Sequence, residues 1–322
     1  MTEILKVQDL QTHFVTHYGV VKAVNGVSFN VHKGETFGIV GESGCGKSVT
    51  AHSILRLVPK PAGRIVGGQI FFDGEDILKK NEKQMRELRG RKISMILQDP
   101  MTSLNPVFTI GNQLREAIRI HSDLTRSEIT EKAINLLNLV HIPSPKMRID
   151  NWPHQLSGGM RQRVVGSIAI SCEPQLLIAD EPTTALDATI QVQYLRLLRE
   201  LQERTKMALI IITHDFGIIA RMCQRAAVMY AGQIVEIGSV QELFDSPKHP
   251  YTKALMRSRP RLNERIDRLD SIKGQPPSLH VDIKGCSFAE RCSEVVGDRC
   301  QSEEPPTFEL NNKHLCKCWK YT

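Results

Sequence analysis

A glycine-rich octapeptide near the start of the chain has the residue types and spacing of a phosphate-binding loop. The stretch Gly41–Ser48 fits the pattern G-x-x-x-x-G-K-S/T. It follows the apolar run Thr36–Val40, which predicts a strand, and precedes a helix that we expect to begin near Val49. Glycines let backbone N–H groups curl around phosphate oxygens, and a helix N-terminus adds the positive end of its dipole. This context favours a nucleotide-binding loop over a chance glycine-rich turn.

Single residues of this loop have separate expected roles. Lys47 is expected to neutralise β- and γ-phosphate oxygens, and Ser48 is expected to ligate Mg²⁺. Cys45 lies inside the loop, where we expect its backbone to matter more than its sulfur. The predicted nucleotide contacts are therefore Gly41, Ser43, Gly44, Cys45, Gly46, Lys47, Ser48 and Val49.

Two carboxylates follow an apolar run in the second half of the chain. The run Leu176–Ala179 predicts a buried strand, and Asp180 and Glu181 come directly after it. An aspartate at the carboxyl end of a buried strand can hold Mg²⁺ beside a phosphate loop. The adjacent Glu181 could polarise an attacking water as a general base. A pair of solvated acids is the alternative, and the preceding phosphate loop makes it less favoured.

The segment Leu156–Gly159 indicates a second place where an anion could bind. It precedes a helix that we predict through Met160–Ile170. Ser157 is a good N-cap residue, and the free N–H groups at a helix N-terminus favour an anion. The pattern predicts a phosphate contact without a lysine, and an ordinary capped helix is the other interpretation.

The elements that must position these residues predict an α/β fold. Residues 1–35 and 65–75 alternate apolar and polar side chains, which is typical of antiparallel strands. Residues 105–155 have helical spacing, which predicts a helical subdomain. Continuous apolar runs between helical stretches predict a parallel sheet that is covered on both faces, with strands at Thr36–Val40, Ile93–Leu97, Leu176–Ala179 and Met207–Thr213.

In the order of its motifs, the chain resembles the ABC ATPase family over about residues 3–245. The resemblance implies a P-loop ABC ATPase core with antiparallel β and helical subdomains. One departure is Met160, where the commonest family signature has Gln. Because backbone amides of the signature contact the phosphate, we expect this change to weaken phosphate binding only a little. The motifs that carry the resemblance are Gly41–Ser48, the Q-loop Gln98, the signature Leu156–Gly159, the strand with Asp180 and Glu181, the D-loop Thr184–Asp187 and the switch His214.

The resemblance also implies how these residues act. Two ATPase subunits would form a head-to-tail dimer, with each ATP held between one phosphate loop and the partner's Ser157, Gly158 and Gly159. Within that site, the family pattern implies the following roles: Glu181 activates water, His214 contacts the γ-phosphate, Gln98 reaches Mg²⁺ or the water, Asp180 holds Mg²⁺, and Asp187 lies at the dimer seam.

An aromatic residue before the phosphate loop is expected to stack on adenine. Tyr18, followed by Gly19, is similar to the family's stacking aromatic. Phe14 is the competing candidate. Either residue could instead belong to the core.

Three stretches resemble the peptide-importer branch of the family, which handles oligopeptides, dipeptides or nickel, and the match is closest to dipeptide-type ATPase subunits. They are Leu97–Pro106, Ala179–Thr189 and Ser246–Thr252. The resemblance implies import of di- or oligopeptides with a second ATPase subunit (the same or different), two transmembrane permease subunits and an extracytoplasmic peptide-binding protein. Nickel cargo and a non-transport ABC ATPase are the alternatives. The chain has one cassette and no heptad run, so the non-transport alternative is less favoured.

Five of the eight cysteines crowd into the last part of the chain. Four thiolates suit an iron–sulfur cluster or a Cys₄ zinc site. Zinc sites often use C-x₂₋₄-C pairs, and none occurs here, so the spacing favours the cluster. The resemblance implies a structural 4Fe–4S cluster; Cys316 could replace the last of the four expected ligands, which are Cys286, Cys292, Cys300 and Cys318.

The bulk properties limit the remaining possibilities. The chain has 322 residues, of which 41 % are hydrophobic, which is enough for a packed core. Its net charge of +7 is spread along the sequence, so we expect a solvated surface and no nucleic-acid partner. No stretch approaches the roughly 20 apolar residues of a membrane span, and no secretory signal begins the chain. We expect a peripheral protein on the cytoplasmic face of the membrane, with an ATPase domain at 1–245 and a small cysteine-rich C-terminal extension at 246–322.

Overall fold

The computed structural model describes residues 2–184, 186–258, 271–311 and 314–322. These residues fall into two compact units. The first unit takes in Val31–Thr36 and Phe71–Thr213, together with the start of the chain through Leu5. The second unit consists of Lys6–Asn30, Phe37–Ile70 and the chain from His214 onwards.

Strands and helices alternate along most of the chain. The strands are β1 (Glu3–Thr16), β2 (Gly19–His32), β3 (Thr36–Val40), β4 (Gly63–Phe72), β5 (Glu75–Asp76), β6 (Ile93–Ile96), β7 (Leu176–Asp180), β8 (Ala208–Thr213), β9 (Arg225–Tyr230), β10 (Gln233–Ser239), β11 (Phe308–Glu309) and β12 (Leu315–Cys316). The helices are α1 (Lys47–Ile54), α2 (Glu82–Leu88), α3 (Pro100–Ser103), α4 (Ile110–Ile120), α5 (Arg126–Leu139), α6 (Pro145–Arg148), α7 (Gly158–Ala169), α8 (Ala188–Thr205), α9 (Phe216–Met222), α10 (Val240–Asp245), α11 (Pro250–Arg257) and α12 (Arg299–Ser302).

Three parallel strands form the centre of the first unit. Strand β7 pairs with β6 on one side and with β8 on the other, and Asp180 lies opposite Ile212. Every residue of β7 and β8 is buried, as expected for apolar strands that are covered on both faces. The predicted parallel strands are therefore present, with ends that shift by one residue.

The stretch predicted to be helical contains α4, α5 and α6. Thr109 and Thr125 start the first two helices by accepting hydrogen bonds from backbone N–H groups of the first turn. The apolar positions that predicted this segment are buried: Leu114, Ile118, Ala133, Leu136, Leu137 and Val140. The helical subdomain follows from this spacing, because one apolar stripe per helix must pack against its neighbours.

The second unit contains two sets of strands. Strands β2, β1 and β4 lie side by side, and only two residues link β1 to β2, so these two strands form an antiparallel hairpin. In the other set, β3 and β9 are parallel, whereas β10 pairs antiparallel with β9 and with β12. The last strands of the chain therefore add to the set of strands that contains β3, the strand before the phosphate loop.

A buried carboxylate ties this C-terminal segment to the sheet. Glu236 in β10 accepts hydrogen bonds from the backbone N–H groups of Lys248 and His249. Its Oε1 also lies 2.7 Å from Nε2 of His314. A buried charge needs such partners, because burial without them is costly. The domain boundary at residue 245 stays a prediction.

Within the residues that the structure describes, no helix combines the length and the apolar character of a membrane span.

Candidate functional site

The phosphate loop has a backbone that requires glycine at several positions. Gly44 and Gly46 have φ values of +78° and +106°, in the left-handed region. A Cβ at Gly41 would collide with the carbonyl oxygen of Met229, and one at Gly46 would collide with that of Ala23. The glycine spacing that predicted the loop thus reflects both its turns and its close approach to β9 and β2.

Lys47 lies at the first position of α1, two residues before the predicted helix start at Val49. Its Nζ donates to the carbonyl oxygens of Gly41 (2.8 Å) and Glu42 (2.9 Å). The residue is only 5 % exposed, so the loop itself holds the ammonium group in place. Burial raises the pKa of the Cys45 thiol, which keeps this sulfur protonated.

The two carboxylates after β7 have different surroundings. Asp180 is the last residue of the strand and is 2 % exposed. Glu181 follows with a φ of +44°, and its N–H donates to the carbonyl oxygen of Ile212 at 2.9 Å. The strand therefore ends one residue before Glu181, whose backbone lies in the left-handed region.

The structure brings Gln98 and Glu181 together. Nε2 of Gln98 donates to Oε2 of Glu181 at 3.1 Å, and the Thr184 hydroxyl donates to the same oxygen at 2.9 Å. Two donors hold the carboxylate in one orientation, which a general base requires. His214, the third predicted catalytic residue, directly follows β8 and is exposed.

The signature segment starts helix α7. Ser157 is its N-cap, and its Oγ accepts a hydrogen bond of 3.3 Å from the Met160 N–H. Ser157 and Gly158 are exposed, and a Cβ added at Gly158 would meet nothing within 4 Å. At Gly159 the same Cβ would lie 2.7 Å from Cγ2 of Ile190. The two glycines therefore serve different purposes: Gly159 packs against α8, while Gly158 leaves an open surface.

Asp187, the predicted seam residue, is the N-cap of α8. Its Oδ1 accepts from the N–H groups of Thr189 (3.1 Å) and Ile190 (3.0 Å). The sequence did not indicate this capping role. Ala185, within the same D-loop, lies outside the described residues.

Tyr18 is 91 % exposed in the turn between β1 and β2, so it does not belong to the core. Phe14 is partly buried in β1. Adenine stacking by either ring stays a prediction.

The four cysteines of the predicted cluster are free thiols that interact electrostatically. The pKa of Cys286 is raised to about 11, mainly by burial and in smaller part by the charges of Cys318, Cys292 and Cys300. Backbone N–H groups donate to two of the sulfurs, from Glu294 to Cys292 (3.3 Å) and from Val296 to Cys300 (3.4 Å).

Neither the predicted iron–sulfur cluster nor the zinc alternative is supported as a metal centre. Among the residues that can be described, no group of three or more His, Cys, Asp or Glu side chains is arranged to hold a metal ion. Cys316, the competing fourth ligand, is fully buried in β12.

Three residues near the phosphate loop were not predicted from the sequence. Glu42, inside the loop, contacts Tyr251 and Arg291 from the C-terminal part of the chain. Glu42 lies in the phosphate-loop pattern and Tyr251 in the stretch Ser246–Thr252, but neither pattern indicated the contact, because the two contacting residues are more than 200 positions away from Glu42 in the sequence.

Comparison with known families gives two matches. The family described as "ABC transporter" matches residues 24–184. The family described as "Oligopeptide/dipeptide transporter, C-terminal region" matches residues 235–300.

The chain is similar over nearly its whole length to curated proteins. It is 53 % identical to a probable peptide ABC transporter ATP-binding protein of Sinorhizobium fredii, over 98 % of this chain and 95 % of that protein. It is 48 % identical to a dipeptide transport ATP-binding protein of Bacillus subtilis, over 99 % and 95 % of the two chains. A dipeptide transport ATP-binding protein of Escherichia coli is 46 % identical, over 98 % and 96 %.

Solved structures share the fold. A dimeric ATP-binding cassette in a post-hydrolysis state with ADP and Pi matches with a TM-score of 0.65 at 24 % identity, over 73 % of this chain and 98 % of that one. The cbiO1 component of the cbiONQ ABC transporter complex of Clostridium perfringens matches with a TM-score of 0.64 at 28 % identity, over 76 % and 92 %. The predicted α/β cassette fold is thereby confirmed.

Proposed function

Because this chain belongs to the ABC transporter family of ATP-binding proteins, we propose that it hydrolyses ATP to drive the import of dipeptides or oligopeptides through partner membrane subunits. The proposed ATP hydrolysis rests on one observation: Gln98 and Thr184 both donate hydrogen bonds to the Glu181 carboxylate, which directly follows the buried Asp180 in the chain. The cargo is supported by the relatives, since those at 46 to 53 % identity are named as peptide or dipeptide transport proteins.

ATP is bound by the loop Gly41–Ser48 and the residue after it. Backbone N–H groups of the loop and the N-terminus of α1 face the phosphates, and Lys47 exchanges its bonds to loop carbonyls for phosphate oxygens. Ser48, Gln98 and Asp180 offer the oxygen ligands that Mg²⁺ prefers, and the ion neutralises phosphate charge when it is bound.

Hydrolysis is assigned to the residues after β7 and β8. Glu181 accepts a proton from the attacking water while Gln98 holds its carboxylate in place. His214 contacts the γ-phosphate. Tyr18, with its exposed ring, is proposed to stack on adenine.

The complete site is proposed to need a second ATPase subunit, which is either a copy of this chain or a related one. Support comes from the N-terminus of α7, whose Ser157 and Gly158 are exposed and lack the lysine of a self-sufficient phosphate site. In the dimer, this end and Gly159 would contact the γ-phosphate on the other subunit, with Asp187 at the seam.

The remaining partners follow from the proposed transport role. They are two transmembrane permease subunits and an extracytoplasmic peptide-binding protein, with this chain on the cytoplasmic face of the membrane. The proposed division places the ATPase domain at residues 1–245 and an importer-type extension at 246–322; the match to the C-terminal-region family, over residues 235–300, supports an extension in this part of the chain.

Transport in reconstituted vesicles tests the proposal. The chain, its partner ATPase, the permeases and the binding protein are assembled, and ATP hydrolysis and uptake are measured with a dipeptide, an oligopeptide and Ni²⁺ as separate cargoes. Peptide uptake that depends on ATP and is lost in Lys47→Ala supports the proposal. Uptake of Ni²⁺ alone would establish the nickel alternative, and hydrolysis without any transport would support a non-transport ATPase.

We further propose that the C-terminal thiols hold a 4Fe–4S cluster with a structural role. The proposal is supported by the chemistry of these residues: Cys286, Cys292, Cys300 and Cys318 are free thiols that interact electrostatically, and two of the sulfurs accept backbone N–H groups. Hydrogen bonds to the sulfurs are among the features by which a protein tunes an iron–sulfur cluster.

Iron and sulfide analysis of anaerobically purified protein tests this second proposal. We expect about four iron atoms and four sulfides per chain with visible absorption. Cys318→Ser should remove them and Cys316→Ser should not, whereas zinc without iron or sulfide would exclude the cluster. Loss of iron only in Cys316→Ser would make Cys316 the fourth ligand.

A further inference from the structure

We infer that Arg291 and Tyr251, from the C-terminal part of the chain, are positioning residues that hold the phosphate loop through Glu42. The inference rests on the proposed binding of ATP at Gly41–Ser48 and adds two residues that do not touch the nucleotide. All of these residues belong to the second unit. We call the three-residue contact of Glu42, Tyr251 and Arg291 the loop clamp.

Arg291 binds the Glu42 carboxylate with both arms of its guanidinium. Nη1 lies 2.8 Å from Oε2, and Nη2 lies 3.1 Å from Oε1. The Arg291 side chain is only 5 % exposed, and that of Glu42 is 28 % exposed. A bidentate pair that is largely shielded from water fixes geometry and is less screened than a surface ion pair.

The guanidinium is itself held in one orientation. Its Nε donates to the carbonyl oxygen of Lys273 at 3.1 Å, and Nη1 also donates to the Tyr230 hydroxyl at 3.2 Å. Its central carbon lies 5.7 Å from the centroid of the Tyr230 ring. Arg291 therefore reaches the loop from a fixed position, directly before Cys292.

Tyr251 fixes the backbone of the same loop residue. Its hydroxyl accepts a 3.0 Å hydrogen bond from the Glu42 N–H. The Tyr251 ring is fully buried, with centroid distances of 4.5 Å to Tyr230 and 5.3 Å to Phe288. The phenol oxygen is thus held by an aromatic cluster, and the loop clamp restrains both the main chain and the side chain of Glu42.

The charge of Glu42 makes this contact relevant to nucleotide binding. Glu42 places a carboxylate inside a loop that receives the negatively charged phosphates of ATP. Without a cation beside it, this carboxylate would repel the nucleotide. Arg291 cancels the charge, so the C-terminal part of the chain is expected to raise the affinity of the phosphate loop for ATP.

The test compares Arg291→Ala with the wild type in the full-length chain. Equilibrium binding of MgATP gives Kd, and steady-state hydrolysis in the assembled complex gives KM and kcat. We expect Kd and KM to rise on the order of tenfold, with kcat within about twofold, because the clamp acts on binding and not on the water-activating residues. Arg291→Lys keeps the charge without the fork and should restore part of the affinity.

A double-mutant cycle separates the electrostatic role from a merely structural one. Glu42→Gln removes the carboxylate, so it should weaken MgATP binding less than Arg291→Ala does. When Arg291→Ala is added to Glu42→Gln, the Kd for MgATP should then rise by less than about twofold. If Arg291→Ala weakens binding equally with and without Glu42, the inference is overturned.

Two further variants complete the test. Arg299→Ala, which removes an exposed arginine of the same C-terminal segment, should leave the Kd for MgATP unchanged. Tyr251→Phe removes the hydroxyl that accepts from the Glu42 N–H, keeps the ring and should raise the Kd for MgATP. If Arg291→Ala does not fold, the Kd values of Tyr251→Phe and of the double variant Glu42→Gln/Arg291→Ala test the clamp. An unchanged Kd in both Arg291→Ala and Tyr251→Phe contradicts the clamp. If wild type and Lys47→Ala bind MgATP equally, the proposed function fails instead.

Discussion

The side-chain amide of Gln98 donates a hydrogen bond of 3.1 Å to the Glu181 carboxylate, although 83 positions separate the two residues. The contact joins the start of the Q-loop, after β6, to the residue after β7. Because β6 and β7 are parallel neighbours, their carboxyl ends lie at the same edge of the sheet. The pairing of two strands thus brings together a proposed water-activating residue and the side chain that orients it.

We expect Glu181→Gln to bind ATP and to lose hydrolysis by about 10²- to 10⁴-fold, the usual contribution of a general base. The amide keeps an oxygen that can accept from Gln98 and Thr184, so the local structure should persist. Phosphate release under single-turnover conditions, together with MgATP binding, measures the two effects. Glu203→Gln, on the exposed side of α8, is the control. Hydrolysis at the wild-type rate would remove Glu181 from the proposed role.

Gly158→Ala should keep the fold and lose function. Its Cβ would meet nothing within 4 Å in this chain, so we expect the free energy of unfolding to change by less than about 0.5 kcal/mol. ATP-dependent dimerisation, measured by light scattering with a Glu181→Gln background, should weaken at least about tenfold, because the added methyl group faces the proposed partner nucleotide.

Gly159→Ala is the matched variant for that experiment. Its Cβ would lie 2.7 Å from Cγ2 of Ile190, so this substitution should lower the free energy of unfolding by about 1–3 kcal/mol. Dimerisation of Gly158→Ala at wild-type strength would argue against a phosphate contact at the start of α7.

Asp187 has two roles that different substitutions can separate. Asp187→Ala removes the acceptor for two N–H groups of α8 and should lower the free energy of unfolding by about 1 kcal/mol. Asp187→Asn keeps a good N-cap and should cost little stability. If the charge of Asp187 also matters at the dimer seam, Asp187→Asn lowers ATP hydrolysis while chemical denaturation stays unchanged. Full activity in Asp187→Asn would restrict this residue to capping.

The buried His249 should make stability depend on pH. Burial lowers its pKa from 6.5 to about 4, against an opposing effect of Glu236. Below pH 6.5, His249 binds a proton in the unfolded chain but not in the folded chain. The contribution of His249 to the free energy of unfolding is therefore fully present above pH 6.5 and is lost as the pH falls towards 4. The slope contributed by this group approaches about 1.4 kcal/mol per pH unit.

His249→Asn isolates this effect. In the wild type, the Nδ1 of His249 accepts a 3.1 Å hydrogen bond from the Tyr251 N–H. An asparagine side chain can accept the same hydrogen bond, but it does not titrate. Denaturation curves between pH 7 and pH 4 should therefore be flatter for His249→Asn than for the wild type. The exposed His280→Asn serves as the control and should retain the wild-type slope. Equal slopes in all three proteins would contradict the assignment.

Most of the candidate site could be predicted because its motifs are contiguous in the chain. The loop Gly41–Ser48 needs glycine wherever its backbone turns or approaches a neighbouring strand, and that need is visible as a spacing. The same holds for the N-cap Ser157 and for Asp180 at the end of an apolar run. The capping role of Asp187 is also local, because its Oδ1 accepts from the N–H groups two and three residues further along the chain, but the D-loop pattern predicted only a position at the dimer seam.

By itself, the sequence determined the family and the α/β fold class, and it singled out the residues that we propose bind phosphate. Only the tertiary structure decided which distant side chains support them: Gln98 on Glu181, and Arg291 on Glu42 across 249 positions. The physical reason is that local backbone requirements leave a pattern in neighbouring residues. A contact between distant residues instead depends on how the strands pair and how the buried apolar runs pack, and no short stretch of sequence records that outcome.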